Sequence, residues 1–219
     1  MTDSALERFY PMSSIDYWFS IASPWAFLGH GPFLKLAKAH GASIAYKPVF
    51  LPEVFKETGG LPLAQRAPAR QRYRFLELQR WREYRGVPLK LRPRHWPFDP
   101  KLADCCVTAI AEAGGDPSGF MSAVWQASWI ADQDCAPESK IAELLSQTGH
   151  DAQDVLAAGK SDTVRAIYAR RPAEAIAAGV IGSPCYVLNG EVFWGQDRLD
   201  LLARALESKR KPFTLDAAD

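Results

Sequence analysis

Apolar and polar positions alternate loosely from Ile15 to Ile21, and from Pro24 the period changes to that of a helix. Trp25, Phe27, Leu28, Phe33, Leu34, Leu36 and Ala37 keep helical spacing until Gly41 stops the run. The pattern predicts a mostly buried strand over 15–21, a helix over 24–40 and a second strand over 42–50. Such a strand-helix-strand unit implies a right-handed crossover and a parallel strand pair.

Between Leu61 and Gly179 nearly every segment reads as helix. Pro68 opens one that ends at Gly86, and others are expected over 101–113, 117–131, 137–148, 151–158 and 161–178, with Pro172 kinking the last or restarting it. Phe120, Val124, Trp125, Trp129, Ile130, Ile141, Leu144 and Leu145 are spaced to face a core. Strand character returns at 185–188 and 191–194 around Asn189-Gly190, a strong hairpin signal, and 197–207 closes the chain as an amphipathic helix. The order predicts an α/β fold. A thioredoxin-like β-α-β…β-β-α sheet domain, made of 15–60 and 179–210, is interrupted by an all-helical insertion over 61–178.

Composition narrows the classes. With 219 residues, 47% hydrophobic and 23% charged, the chain can bury a core, and a net charge of +1 gives no global field for nucleic acid or membranes. Met1 to Ser14 lacks an apolar stretch of signal-peptide length, and no run approaches the about 18 apolar residues of a membrane helix, so a cytoplasmic protein is expected. Cys105, Cys106, Cys135 and Cys185 show no C-x-x-C spacing, and His30, His40, His95 and His150 no metal-ligand spacing. Reduced thiols and no bound metal are the expectation.

Candidate chemistry starts at Ser23-Pro24. Ser is a favoured N-cap and Pro fits the first helical position, so a strand delivers Ser23 to a helix end whose free N–H groups attract negative charge. Ser23 is then either a simple cap or an anion-holding hydroxyl. Ser183-Pro184 is either a trans turn before a strand or a cis-proline loop. Asp197 is either a helix-start acid or a charge partner for a ligand, and Trp194 is equally readable as core.

Tyr17 to Leu28, Gly179 to Pro184 and Phe193 to Leu199 together resemble the 2-hydroxychromene-2-carboxylate isomerase and kappa-class glutathione transferase family, whose fold is that of the DsbA oxidoreductases. The likeness extends over about 15–207. Where thioredoxin-type proteins carry C-x-x-C, this chain has Ser23-Pro24-Trp25-Ala26, so no thiolate there can exchange a disulfide. The resemblance implies that glutathione supplies the sulfur and that Ser23 holds its thiolate. It further implies that Ser183 and Pro184 receive the cysteinyl backbone, while Trp194, Gly195, Gln196 and Asp197 receive the γ-glutamyl group. A homodimer is implied as well.

The substrate side is less defined. Basic residues from Arg66 to Arg94, Arg74 among them, form either a solvated face or a rim for anionic glutathione and a small aromatic carboxylate. The interleaved aromatics, Tyr73, Phe75, Trp81, Tyr84, Trp96 and Phe98, are expected to pack in the core. The segment 88–100 resembles the family's loop over the acceptor site, which makes Arg94 and Trp96 candidates. Lys56 or Lys47 could meet a carboxylate. The readings in play are a glutathione-dependent isomerase, a transferase that conjugates electrophiles, a non-catalytic thioredoxin-like binding protein and, last, a nucleic-acid binder.

Overall fold

The structure is a computed structural model that describes residues 13–208 and 210–214. The segment Met1 to Ser14, read as lacking a signal-peptide core, lies outside them but for its last two residues. Strand β1 (Ser14–Phe19) leads into α1 (Pro24–Ala39) and β2 (Ser43–Pro48), followed by α2 (Leu51–Thr58), α3 (Pro68–Tyr84), α4 (Lys101–Glu112) and α5 (Ser118–Trp125). Then come α6 (Glu138–Gln147), α7 (Ala152–Lys160), α8 (Asp162–Ala177), the hairpin of β3 (Cys185–Leu188) and β4 (Glu191–Trp194), and α9 (Leu199–Ser208). The four strands form one sheet in the order β2-β1-β3-β4. β1 pairs in parallel with β2 and antiparallel with β3, which pairs antiparallel with β4. This is the expected α/β, thioredoxin-like arrangement.

The alternation in β1 sorts its side chains between two cores. Ile15, Tyr17 and Phe19 join α1, α5 and the Gln126–Ile130 turn in one hydrophobic cluster, whereas Trp18 packs with Val49, Val54, Ala175 and Val180 on the other face. Register places Tyr17 opposite Tyr186, and the two rings stack at 5.4 Å. Burying such aromatic side chains contributes about 1.5–3 kcal/mol each, so the strand is anchored on both faces.

Several boundaries differ from expectation for local reasons. β1 ends at Phe19 because Ser20 to Ser23 turn tightly, with the Ser23 N–H donating to the Ser20 carbonyl at 2.9 Å. Helix α2 was not foreseen. Its Pro52 lies in the first turn and Gly59 ends it at a φ of +75°, and Val54 buries itself against Trp18. The helix expected over 117–131 widens into a π-helical turn at Gln126–Ile130. Pro172 lies inside α8, which runs on to Ala177. Tyr73 and Tyr84, expected in the core, stand 57% and 75% exposed, since α3 buries only Arg74 and Leu78.

His30 sits in the core on α1, edge-on to Trp125 at 4.9 Å, and its Nε2 faces the Ser118 carbonyl at 3.3 Å. Burial lowers its pKa to about 4, although the Ser118 contact and the Asp116 charge act the other way. In the unfolded chain the imidazole takes a proton near pH 6.5, so stability present above that value is lost as pH falls towards 4. His30→Gln is expected to flatten this acid limb in urea melts, where the wild type loses up to about 1.4 kcal/mol per pH unit from this group.

Candidate functional site

The backbone that leaves β1 is held by three remote segments. Ser20 N–H donates to Ser183 Oγ at 3.1 Å and Ile21 N–H to Asp104 Oδ1 at 3.1 Å, while the Ala22 carbonyl accepts from Trp96 Nε1 at 2.8 Å. The next residue is Ser23. It caps α1, its Oγ accepting from Ala26 N–H at 3.2 Å, and it is buried. Among the described residues its hydroxyl proton has no acceptor and the Trp25 N–H has no partner. Two donors therefore remain at the positive end of a 16-residue helix.

The chain's own thiols are poor nucleophiles. Cys105, Cys106, Cys135 and Cys185 are free and buried. Burial pushes Cys105, Cys135 and Cys185 up to about 11 and Cys106 to about 12. At neutral pH none is a thiolate.

Facing the helix end, the Ser183-Pro184 peptide is cis, and the Pro184 carbonyl accepts from Gly195 N–H at 2.9 Å. Gly195 adopts a φ of +110°, a conformation open to glycine, and turns the chain from β4 into the 3-10 turn Gln196–Arg198. Trp194 is half exposed, its indole occupying the space where a side chain on Gly182 would project. Gln196 is buried and fixed: Arg85 Nη2 donates to its Oε1 at 2.9 Å and to its carbonyl at 3.3 Å. A Cβ on Gly29 would come within 2.6 Å of Gln196 Cβ, so α1 and this turn touch backbone to side chain. Asp197 is partly exposed and pairs with Arg198.

These bonds gather Ser23, Ser183, Pro184, Gly195, Gln196 and Trp96, with Trp194 and Asp197 alongside. They do not reach Lys56 or Arg94. Lys56 lies on α2 and pairs with Glu53 at 2.7 Å, and Arg94 pairs with Asp132 at 3.0 Å while 77% exposed. Lys47 is engaged by Asp16 at 2.6 Å. A groove of about 800 Å³ runs along the β2 edge between Tyr46, Gly115 and Arg171, and no residue gathered around Ser23 lines it.

Residues 14–207 match the family model described as a DsbA-like thioredoxin domain. The chain belongs to the DsbA-like thioredoxin domain family. Within it, this DsbA-like chain is 26% identical over 191 residues to a 2-hydroxychromene-2-carboxylate isomerase of Sphingobium xenophagum, covering 86% of this chain and 95% of that one. A Glutathione S-transferase kappa 1 of Caenorhabditis elegans is 23% identical, covering 88% and 90%. A solved 2-hydroxychromene-2-carboxylate isomerase superposes with a TM-score of 0.72 at 24% identity, over 90% of this chain and 95% of that one. The DsbA-like fold and the resemblance read from the chain's ends agree with these matches.

Sequence reasoning missed Asp104, and it placed Arg85 only among the basic residues of 66–94. Asp104 is fully buried on α4, its carboxyl taking Ile21 N–H on one oxygen and the Tyr168 hydroxyl on the other at 2.9 Å. The signal available was an acid inside the otherwise apolar run Ala103-Asp104-Cys105-Cys106-Val107. Burial raises its pKa well above the usual carboxylate range, against the two hydrogen bonds, with nearby Asp99 adding to the rise. Because the unfolded group ionises first, the stability Asp104 contributes is complete below about pH 4 and is lost as pH rises through its folded pKa. Asp104→Asn should fold with that pH dependence removed. Asp104→Leu strands both donors and should cost about 1–3 kcal/mol for each in denaturant melts.

Proposed function

We propose that this protein is a glutathione-dependent isomerase acting on aromatic-degradation intermediates of the 2-hydroxychromene-2-carboxylate type. The observation that carries the reading is a helix N-terminus with unused O–H and N–H donors at Ser23 and Trp25, on a fold whose usual thiol pair is absent. Bound there, glutathione supplies a nucleophilic thiolate that adds reversibly to the conjugated substrate. The Ser23 hydroxyl donates to that sulfur, and the α1 dipole favours its charge. The backbone at Ser183-Pro184 receives the cysteinyl peptide like an added strand. The turn from Trp194 to Asp197 receives the γ-glutamyl end, with Asp197 turning from Arg198 to the ammonium group.

The helices of 61–178 form the acceptor side as an insertion into the sheet domain of 15–60 and 179–210. Trp96 is the link, since its indole bonds the peptide next to Ser23. The four unpaired thiols suit a reducing, cytoplasmic setting. A second reading, conjugation of electrophiles by a kappa-type transferase, uses the same donors and is favoured by the likeness to the nematode protein.

Substoichiometric glutathione is expected to support many turnovers of 2-hydroxychromene-2-carboxylate, followed by absorbance with thiol titration in parallel. Consumption of one thiol per product would favour the transferase instead. Ser23→Ala should lower the rate about a hundredfold, by loss of one donor to a developing charge. Loss of the cap should cost about 1 kcal/mol of stability as well. Saturation with glutathione at a hundred times its dissociation constant should stabilise the wild type by about 2.7 kcal/mol. No stabilisation and no turnover would leave a binding protein in which Ser23 is only a cap.

A further inference from the structure

Arg74 occupies an unusual place for a guanidinium. It lies on α3 with 8% of its surface exposed, and among the described residues it has neither an ion pair nor a hydrogen bond. Its surroundings are aromatic and basic. The guanidinium carbon stands 5.0 Å from the Trp96 ring centroid and 5.8 Å from that of Phe75, and Arg92 approaches the same Phe75 ring at 4.6 Å. The acids of this region are engaged elsewhere: Glu77 with Arg80, Asp132 with Lys90 and Arg94. Burial, and then the charge of Arg66, lowers the Arg74 pKa to about 10, which still leaves it charged at neutral pH.

A charge so largely covered and without a counter-ion is costly, and aromatic faces return only part of that cost, while the guanidinium nitrogens, which are not among the fully enclosed unpartnered atoms, stay within reach of an incoming group. Perturbed charged groups of this kind cluster at functional sites, where the missing partner arrives with the ligand. Trp96 sets the direction. It touches Arg74 on its ring face and bonds the Ala22 carbonyl through Nε1, so the guanidinium is one indole away from the residue that precedes Ser23. Phe75 and Trp96 offer flat walls at the same spot.

We propose that Arg74 is the specificity-determining residue of the acceptor side, forming the ion pair with the anionic group of an aromatic substrate whose ring lies against Trp96 and Phe75. The proposal rests on the glutathione reading only for the reaction; the binding of an aromatic anion is separable from it. It replaces Lys56 and Arg94 as the carboxylate contact, because both already have carboxylate partners on the surface.

The test uses the full chain with cinnamate and its neutral isostere cinnamamide, with binding read from tryptophan fluorescence and calorimetry. Wild type should prefer cinnamate, and Arg74→Leu should weaken cinnamate at least about tenfold while leaving cinnamamide unchanged. Without ligand, Arg74→Leu should melt at or above the wild-type temperature, since it removes an unpaired buried charge. Arg74→Lys should keep part of the preference. Equal binding of the two probes by wild type, or unchanged cinnamate affinity in Arg74→Leu, overturns the proposal. So does a lowered melting temperature in Arg74→Leu with binding intact, which would make Arg74 a structural residue. A protein that selects cinnamate but shows no response to glutathione would sink the isomerase reading and spare this one.

Discussion

The peptide groups of Ser20, Ile21 and Ala22 are the constraint on which the site depends. A strand that ends inside a protein leaves N–H and C=O groups that water cannot reach, and each must be answered. Here the answers come from Ser183 before β3, Asp104 on α4 and Trp96 in the loop that precedes it. The sheet, the helices between its halves and the long loop therefore meet on one short turn. Ser23 is placed by the whole fold, and the dense aromatic packing of Tyr17, Phe33, Trp125 and Tyr186 below it leaves α1 little freedom to shift.

Electrostatics around that turn are one-sided. Asp104 is the nearest acid by hydrogen bonding, yet burial favours its neutral form, so it accepts bonds without cancelling the positive end of α1. Arg74 adds a cation that no side chain of the described residues neutralises. Asp197, the acid at the opposite turn, is partly exposed and shares its charge with Arg198. The groups around Ser23 are thus donors and a cation, in a protein whose formal net charge is only +1. Local arrangement, rather than composition, produces that set.

The parts legible in the chain were those set by period and punctuation. β3 and β4 fall at the positions expected because Asn189-Gly190 pins their register, and α1 begins at Pro24 because Ser-Pro is a start signal. Helix α2 escaped notice because its eight residues show one buried side chain, Val54, too few for a periodic signal. Charged residues were the hardest to assign. Arg74 and Arg94 belong to the same basic stretch, but one is covered by Trp96 while the other reaches Asp132 at the surface. Which arginine is covered is decided by tertiary packing, and linear spacing carries no trace of it. Lys56 shows the same dependence, since its partner Glu53 lies one turn away on an exposed face.

A hydroxyl in place of a thiol changes what this junction must do. A disulfide-exchanging site holds its sulfur covalently, whereas Ser23 can hold a sulfur only by hydrogen bonding and charge, so the donors and the positive end of α1 have to stay available after the ligand's water is gone. If both ligands of the proposed reaction are anions, two negative charges lie close together. At roughly 8 Å and an effective dielectric of about 20, they repel by about 2 kcal/mol. One source of positive potential would be divided between them. The α1 terminus at Ser23 and the guanidinium of Arg74, separated by the Trp96 indole, provide a source for each. In the proposed reading, that separation would let both anions bind without either displacing the other, which would be a physical reason for an unpaired arginine under an aromatic ring.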